Sequence, residues 1–255
     1  MLILERQQRL LDILKQRGSA SLEMLSAELD VSVSTVRRDL DRLAERGLIE
    51  RTHGGAVLLD TSPTTHSGQA TAFAGRMADN VEAKRAIGAA AARLIEPNMT
   101  ILMDAGSTVV YAAQQITVRP IQIATTSLAI AQHFANDEQV EITVVGGKLY
   151  PRTSAMVGPL ARQALRDLYA DICFLSLAAL DENAGYNLNT ELTRIELAMM
   201  DQAERSVLLM DASKFGRRSL VRVAELDRFD EIITDAGVGD QWPASLGSRL
   251  TVATR

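Results

Sequence analysis

From Thr100 onward, short β-type runs alternate with amphipathic runs, and no other feature of this 255-residue chain restricts its fold as strongly. The apolar runs Thr100–Asp104, Ile121–Thr125, Ile142–Val145, Ile172–Ala178, Val207–Met210 and Ile232–Thr234 read as strands. Ser107–Gln115, Leu128–Asn136, Pro159–Leu168 and Glu191–Ala203 read as intervening helices, and Arg76–Glu96 as an Ala-rich helix ending at Pro97-Asn98. Strands this apolar must be covered on both faces, so the alternation predicts a Rossmann-like α/β domain with a parallel sheet.

The first 59 residues show a different pattern. Leu10, Leu11, Ile13 and Leu14 recur at helical spacing from Glu5 to Gln16, and Gly18 stops the run. Ser21 is placed to cap a second helix, Leu22–Leu29, and Asp30-Val31-Ser32 then turns the chain. Ser32 is placed to cap a third helix, Val33–Arg46, in which Val36, Leu40 and Leu43 form an i, i+4, i+7 stripe and Gly47 holds the C-cap position. Three short helices with a tight turn before the last predict a helix-turn-helix. With the stripe inward, about 100° per residue turns Ser34, Arg38, Asp41 and Arg42 outward and leaves Arg37 on the flank. A solvated amphipathic helix would share this periodicity. The Ser32 cap, the Arg37-Arg38 pair and the Arg-Thr-His-Gly-Gly turn at 51–55 point instead to a duplex groove, where arginine meets guanine or phosphate. Leu48–Val57 reads as two short strands about a tight turn, a wing with Arg51 and His53 near its tip. Asp39 is expected to pair with a nearby arginine.

Asp60–Ala74, rich in Thr, Ser, Gly and Pro, reads as a connector. The expected organisation is a DNA-binding domain at 1–59, a linker at 60–75 and an α/β domain at 76–255. Residues 1–59 hold nine basic and nine acidic side chains, so the excess acid behind the net charge of −5 lies in the larger domain. Attraction to DNA must therefore come from where the arginines stand.

With 47% hydrophobic residues the chain can bury a sizeable core, which excludes disordered and fibrous classes. Its one cysteine, Cys173, lies in an apolar run and suits a reducing compartment as a small core residue. Charges interrupt the N-terminal apolar residues before an export signal could form, and the chargeless stretch Pro120–Asn136 is too polar to span a bilayer. The expected location is the cytoplasm, without a membrane partner. His66 and His133 have no ligand-spaced companions and no Gly-rich run fits a nucleotide fingerprint, so neither metal nor cofactor is expected.

In open α/β sheets, ligands bind beyond the carboxyl ends of the strands. There the chain places Asp104-Ala105-Gly106-Ser107-Thr108, Thr125-Thr126-Ser127, Gly146-Gly147 with Lys148 and Arg152 after them, and Asp211–Gly216 with Lys214. Each loop alone could be a helix cap or a turn; meeting at one edge they would cradle an anion, most naturally a phosphate.

Val31–Leu40, Gly47-Leu48-Ile49 and Arg51–Ala56 together are similar to the winged helix-turn-helix signature of the DeoR family of bacterial transcriptional regulators. The resemblance continues through Asp104–Thr108, Thr126-Ser127, Gly146-Gly147, Val157-Gly158-Pro159 and Asp211–Gly216 into the family's effector domain. It implies that Ser32, Ser34, Thr35, Arg37 and Arg38 face DNA, with Arg51, His53, Gly54 and Gly55 in the wing. It further implies a fold shared with sugar-phosphate isomerases such as ribose-5-phosphate isomerase, and a phosphorylated sugar as effector. Gly106, Ser107, Thr108, Thr126, Ser127 and Lys214 would hold the phosphate, and Asp104, Arg152, Asp181 and Glu191 the sugar or a second anionic group. The segment 181–189 departs from the family by its asparagines, where effector choice could differ. The resulting expectation is a repressor, not an enzyme, that binds operator DNA as a homo-oligomer. A sugar-phosphate isomerase with a DNA-binding appendage is the alternative, although an isomerase needs a base and a proton partner beside the sugar, and Asp181, Glu191 or Lys214 make no complete set. A third reading is an assembly module with a vestigial pocket.

Overall fold

Leucine spacing and hydroxyl caps shape the first of two compact units, Met1–Gln69 and Ala70–Arg255. The computed structural model describes residues 3–17, 19–45, 49–52, 55–58 and 73–254. Helices α1 (Ile3–Arg17), α2 (Leu22–Leu29) and α3 (Val33–Glu45) enclose Leu10, Leu14, Leu22, Leu25, Leu29, Val36, Leu40 and Leu43, all buried. Ser21 caps α2 by accepting from the Met24 amide at 3.2 Å, and Asp30 ends it in the left-handed region at φ 51°. Strand β1 (Ser19–Ser21) joins β2 (Ile49–Thr52) and β3 (Gly55–Leu58) in an antiparallel sheet ordered β1-β3-β2. Three residues of Ser-Ala-Ser carry too little apolar pattern for β1 to be read from sequence. The expected helix stop at Gly18, the C-cap at Gly47, the wing tip His53-Gly54 and most of the connector lie outside the described residues.

The larger unit opens with α4 (Phe73–Ala78) and α5 (Val81–Ala92). Here the single helix expected over Arg76–Glu96 is broken, because Asn80 takes φ 50° and its side chain turns away to bond Asp211. Helix α4 also begins inside the stretch read as linker, since Phe73 and Met77 pack on the core. Next in the chain are β4 (Thr100–Met103), α6 (Ser107–Ala113), β5 (Ile121–Thr125), α7 (Leu128–Phe134) and β6 (Val140–Val144). A hairpin of β7 (Lys148–Tyr150) and β8 (Ala155–Val157) leads to α8 (Pro159–Leu165) and β9 (Ala170–Leu175). The remainder comprises β10 (Ala179–Leu180), β11 (Ala184–Asn187), α9 (Thr190–Met200), β12 (Ala203–Leu209), β13 (Val221–Glu225), β14 (Glu231–Asp235), α10 (Gln241–Leu246) and β15 (Leu250–Ala253).

Seven strands form one parallel sheet in the order β15-β14-β12-β9-β4-β5-β6. Alternate residues point to opposite faces. Leu102, Cys173, Leu175 and Leu208 face α8 to α10, while Ile101, Met103, Ile172, Phe174 and Val207 face α5 to α7. Both faces are covered, as the sequence predicted, and Cys173 is a buried core thiol whose burial pushes its pKa up to about 12. From β4 the order runs outward through β5 and β6 on one side and through β9, β12, β14 and β15 on the other. The topological switch point therefore lies between β4 and β9, where such sheets open a crevice.

Candidate functional site

On the N-terminal unit the candidate surface is the first turns of α3. The Ser32 hydroxyl caps the helix by accepting from the Thr35 amide at 3.3 Å, and it lies 2.9 Å from the Ser34 hydroxyl and 2.8 Å from that of Thr35. Ser32, Ser34, Arg37, Arg38 and Arg42 are exposed and Thr35 is half-buried, so the face turned outward is the one the apolar stripe implied. Asp39 points the other way: it is buried, and accepts from Arg6 Nε at 2.5 Å and Gln7 Nε2 at 3.3 Å, which locks α3 to α1. Strands β2 and β3 pair antiparallel with Thr52 opposite Gly55. Arg51 lies on β2 and Gly55 opens β3, whereas His53 and Gly54 lie outside the described residues.

In the larger unit, the loops after β4, β5, β9 and β12 meet at the switch point. Asp104 Oδ2 accepts from the amides of Gly106 at 3.1 Å and Ser176 at 3.4 Å, bridging the loops after β4 and β9. A Cβ on Gly106 would lie 2.5 Å from that of Ser176, so only glycine lets the two loops meet. The Thr125 hydroxyl donates to the Met103 carbonyl at 2.7 Å and accepts from the Ser127 amide at 3.0 Å, tying the ends of β4 and β5. Lys214, after β12, donates from Nζ to the Leu177 carbonyl at 2.9 Å and to the Ser176 hydroxyl at 3.3 Å.

Two further cations join this edge from α4 and α5. Lys84, only 3% exposed, donates to the carbonyls of Arg76 and Asp79. Burial, with nearby Lys214, lowers its pKa to about 8 against the pull of Asp211 and Asp79. Arg76 donates from Nη2 to the Arg152 carbonyl at 2.8 Å, and its buried Nε has no partner among the described residues. Burial lowers Arg76 and Lys214 as well, opposed chiefly by Asp104 and Asp211 respectively. Asp104, buried, is raised by desolvation against the amides of Ala105, Gly106 and Ser176 and the charge of Arg76. Burial would raise Asp211 too, but Lys214, Ser213 and Lys84 bring it below its ordinary value. Three cations thus meet three carboxylates, Asp104, Asp211 and Asp79, while the Arg76 Nε and the buried hydroxyls of Thr108, Thr126 and Thr153 have no partners among the described residues. Unpaired buried donors beside clustered cations are the chemistry of an anion site.

The other candidate residues divide. Ser107 and Thr108 open α6, while Ser127 caps α7 by accepting from the Ile130 amide at 3.3 Å. A Cβ on Gly147 would meet the Val157 carbonyl at 2.7 Å, which explains that glycine by packing; Gly146 is exposed with open space around it. Arg152 is exposed and contributes its carbonyl to Arg76. Asp181 is committed to its own turn: one oxygen accepts from the amides of Asn183 and Ala184, at 2.9 Å each, and the other from Tyr186 and Arg218. Despite burial, these bonds hold its pKa at about 2. Glu191 pairs with Arg194 at 3.4 Å and lines a small depression with Gly158, Pro159 and Arg162. Sequence reasoning passed over Arg76, Lys84 and Ser176. It also missed Glu196, which is buried beside Asn187 and whose carboxyl is pushed well above its ordinary pKa by burial and by Asp104.

Residues 6–62 match the DeoR-like helix-turn-helix domain and residues 79–236 the DeoR C-terminal sensor domain. The chain is 36% identical to the HTH-type transcriptional regulator GlpR of Haloferax volcanii, over 92% of this chain and 91% of that protein. It is 34% identical to the L-fucose operon activator of Haemophilus influenzae (92% and 93% covered), and 33% identical to a putative aga operon transcriptional repressor of Escherichia coli O157:H7 (92% and 87%). Among solved structures, a D-ribose-5-phosphate isomerase in complex with phospho-erythronic acid aligns at a TM-score of 0.39 and 17% identity, over 53% of this chain and 54% of that one. With both domains matched in order and relatives of this similarity along almost the whole sequence, the chain belongs to the DeoR family of transcriptional regulators.

Proposed function

We propose that this regulator represses sugar-metabolism genes and changes its hold on double-stranded operator DNA when a phosphorylated sugar occupies the switch point. In this reading Ser32, Ser34, Thr35, Arg37 and Arg38 address the groove, and Arg51, His53, Gly54 and Gly55 form the wing. Lys214, Lys84 and the Gly106–Thr108 and Thr126-Ser127 loops hold the phosphate, and Asp104 and Arg152 lie beside the remainder of the ligand. The protein acts in the cytoplasm as a homo-oligomer. No helix among the described residues is long and apolar enough to cross a membrane. Control requires that the ligand bind the DNA-competent and DNA-incompetent states unequally.

The observation that carries the reading is the convergence of Arg76, Lys84 and Lys214 on one sheet edge beside Asp104, Asp211 and Asp79, with the buried Arg76 Nε unpartnered among the described residues. A regulatory rather than catalytic role is supported by two of the candidate bases. Asp181 is bound up in its turn and Glu191 is paired with Arg194 on the helix surface.

The test is thermal denaturation of the full chain with a panel of sugar phosphates and the matching free sugars at constant ionic strength. A ligand at a hundred times its Kd stabilises by about 2.7 kcal/mol. A phosphorylated member is expected to raise Tm and shift duplex affinity, while its free sugar does neither and no member is turned over. Panel-wide silence would remove the effector reading, and turnover would establish the isomerase.

A further inference from the structure

Arg76 stands on α4, the first described element after residue 58, and its guanidinium reaches the switch point. One edge is occupied: Nη2 donates to the Arg152 carbonyl at 2.8 Å. The Nε is buried and unpartnered among the described residues, and the group is close enough to Asp104, Lys84 and Lys214 to influence all three. Behind it, the α4 backbone is gripped by side chains of the larger unit. Lys84 Nζ holds the carbonyls of Arg76 and Asp79, and the Tyr111 hydroxyl donates to the Met77 carbonyl at 2.9 Å. Lys84 therefore both faces the site and holds α4 in place.

We propose that Arg76 is the residue through which occupancy of the anion site passes to α4 and on toward the DNA-binding unit; this rests on the anion-site reading above. The cations spend most of their donors on main-chain carbonyls: Arg76 on that of Arg152, Lys84 on those of Arg76 and Asp79, and Lys214 on that of Leu177. A phosphate-type anion competes for them: the planar guanidinium fork presents Nε and Nη2 together to two anionic oxygens, which the Arg152 carbonyl cannot satisfy. Turning to the anion releases the Arg152 carbonyl and draws Lys84 from the carbonyls of Arg76 on α4 and Asp79 just after it, so the two arrangements differ in how firmly α4 is held. That difference is the unequal affinity that coupling requires.

The experiment is hydrogen–deuterium exchange on the full chain with inorganic phosphate, at ionic strength matched by chloride, alongside thermal shifts. In the wild type, phosphate is expected to raise Tm and to speed amide exchange in residues 73–80 about threefold or more. Arg76→Gln is expected to be saturable still, with Kd raised about tenfold or less because Lys84 and Lys214 remain, while exchange in 73–80 no longer responds. Arg76→Lys, which keeps the charge but not the fork, should behave likewise and serves if the Gln variant melts early without phosphate. A wild-type exchange response in the saturated variants overturns the relay, as does a wild type that gains Tm with no change in 73–80. Loss of all phosphate binding in both variants also overturns it, reducing Arg76 to a binding group. A wild type silent in both measurements removes the anion site itself.

Discussion

Arg6 on α1 donates from Nε to the buried carboxylate of Asp39 on α3 at 2.5 Å. The pair fixes the roll of α3, and so decides that Ser34 and Arg38 face outward. Removing the cation leaves a carboxylate that is 2% exposed with, among the described residues, the Gln7 amide to satisfy it. Arg6→Ala is therefore expected to destabilise the N-terminal unit by about 2–3 kcal/mol. Replacing both partners, as Arg6→Met with Asp39→Leu, should recover most of that loss. Exchange protection of residues 33–45 reads both; an Arg6→Ala protein with wild-type protection would mean that the pair does not hold the helix.

Arg38 carries the opposite expectation, because it is exposed on the same helix. Its truncation should leave stability within about 0.5 kcal/mol. Binding of a random-sequence duplex, measured as a function of salt, should weaken, with the slope of log K against log salt shallower by about 0.9 for each phosphate that is no longer neutralised. An unchanged slope and affinity would take Arg38 off the DNA.

The helix-turn-helix was legible because its signals are local: Ser21 and Ser32 cap within three residues, and the stripe through Val36, Leu40 and Leu43 needs no distant partner. The parallel sheet was legible from its apolar runs, but β1, the β7–β8 hairpin and the β10-β11-β13 sheet were not, being two to five residues long and set by their pairing. The candidate anion site was read from loops after strands, and the structure brings Asp104, Gly106 and Lys214 of those loops to one sheet edge. Arg76 and Lys84 escaped because they precede β4, the first strand of the parallel sheet, and reach the edge only through the fold. One local signal was available: Lys84 shares a helix face with Ile87, Gly88 and Ala91, all buried, so a lysine stands where the core pattern calls for an apolar side chain. Asp181 and Glu191 show the converse, since a carboxylate after a strand or at a helix start is equally the material of a turn or a surface pair.

Gly106 adopts an extended backbone at φ −66°, open to any residue, so alanine there is excluded by space alone. Gly106→Ala pushes a methyl into Ser176 and should cost about 1–3 kcal/mol while opening the Asp104 bridge. Ser176→Gly in the same chain removes the opposing Cβ and is expected to restore most of the Tm. If the second change restores nothing, the close approach of these loops is not what the glycine serves.

Lys84 gives the larger unit a distinct pH signature. Its ammonium titrates near 10.5 in the unfolded chain and near 8 when buried among Lys214, Arg76, Asp211 and Asp79. Between those values the unfolded state binds the extra proton, so this residue makes stability rise with pH from about 8 to 10.5, and its full penalty applies below 8. Burial lowers Lys214 as well, which makes the comparison with Lys84→Met the informative one. On going from pH 7.5 to 10, the wild type is expected to gain on the order of 2 kcal/mol relative to the variant, measured by denaturant unfolding. Matching pH profiles would show that Lys84 is not held below its ordinary pKa. An anion at the switch point should raise the lysine again, so saturating inorganic phosphate is expected to narrow the wild-type window and to be taken up with protons near pH 8. In Lys84→Met that proton uptake should fall away even where phosphate still binds through Lys214.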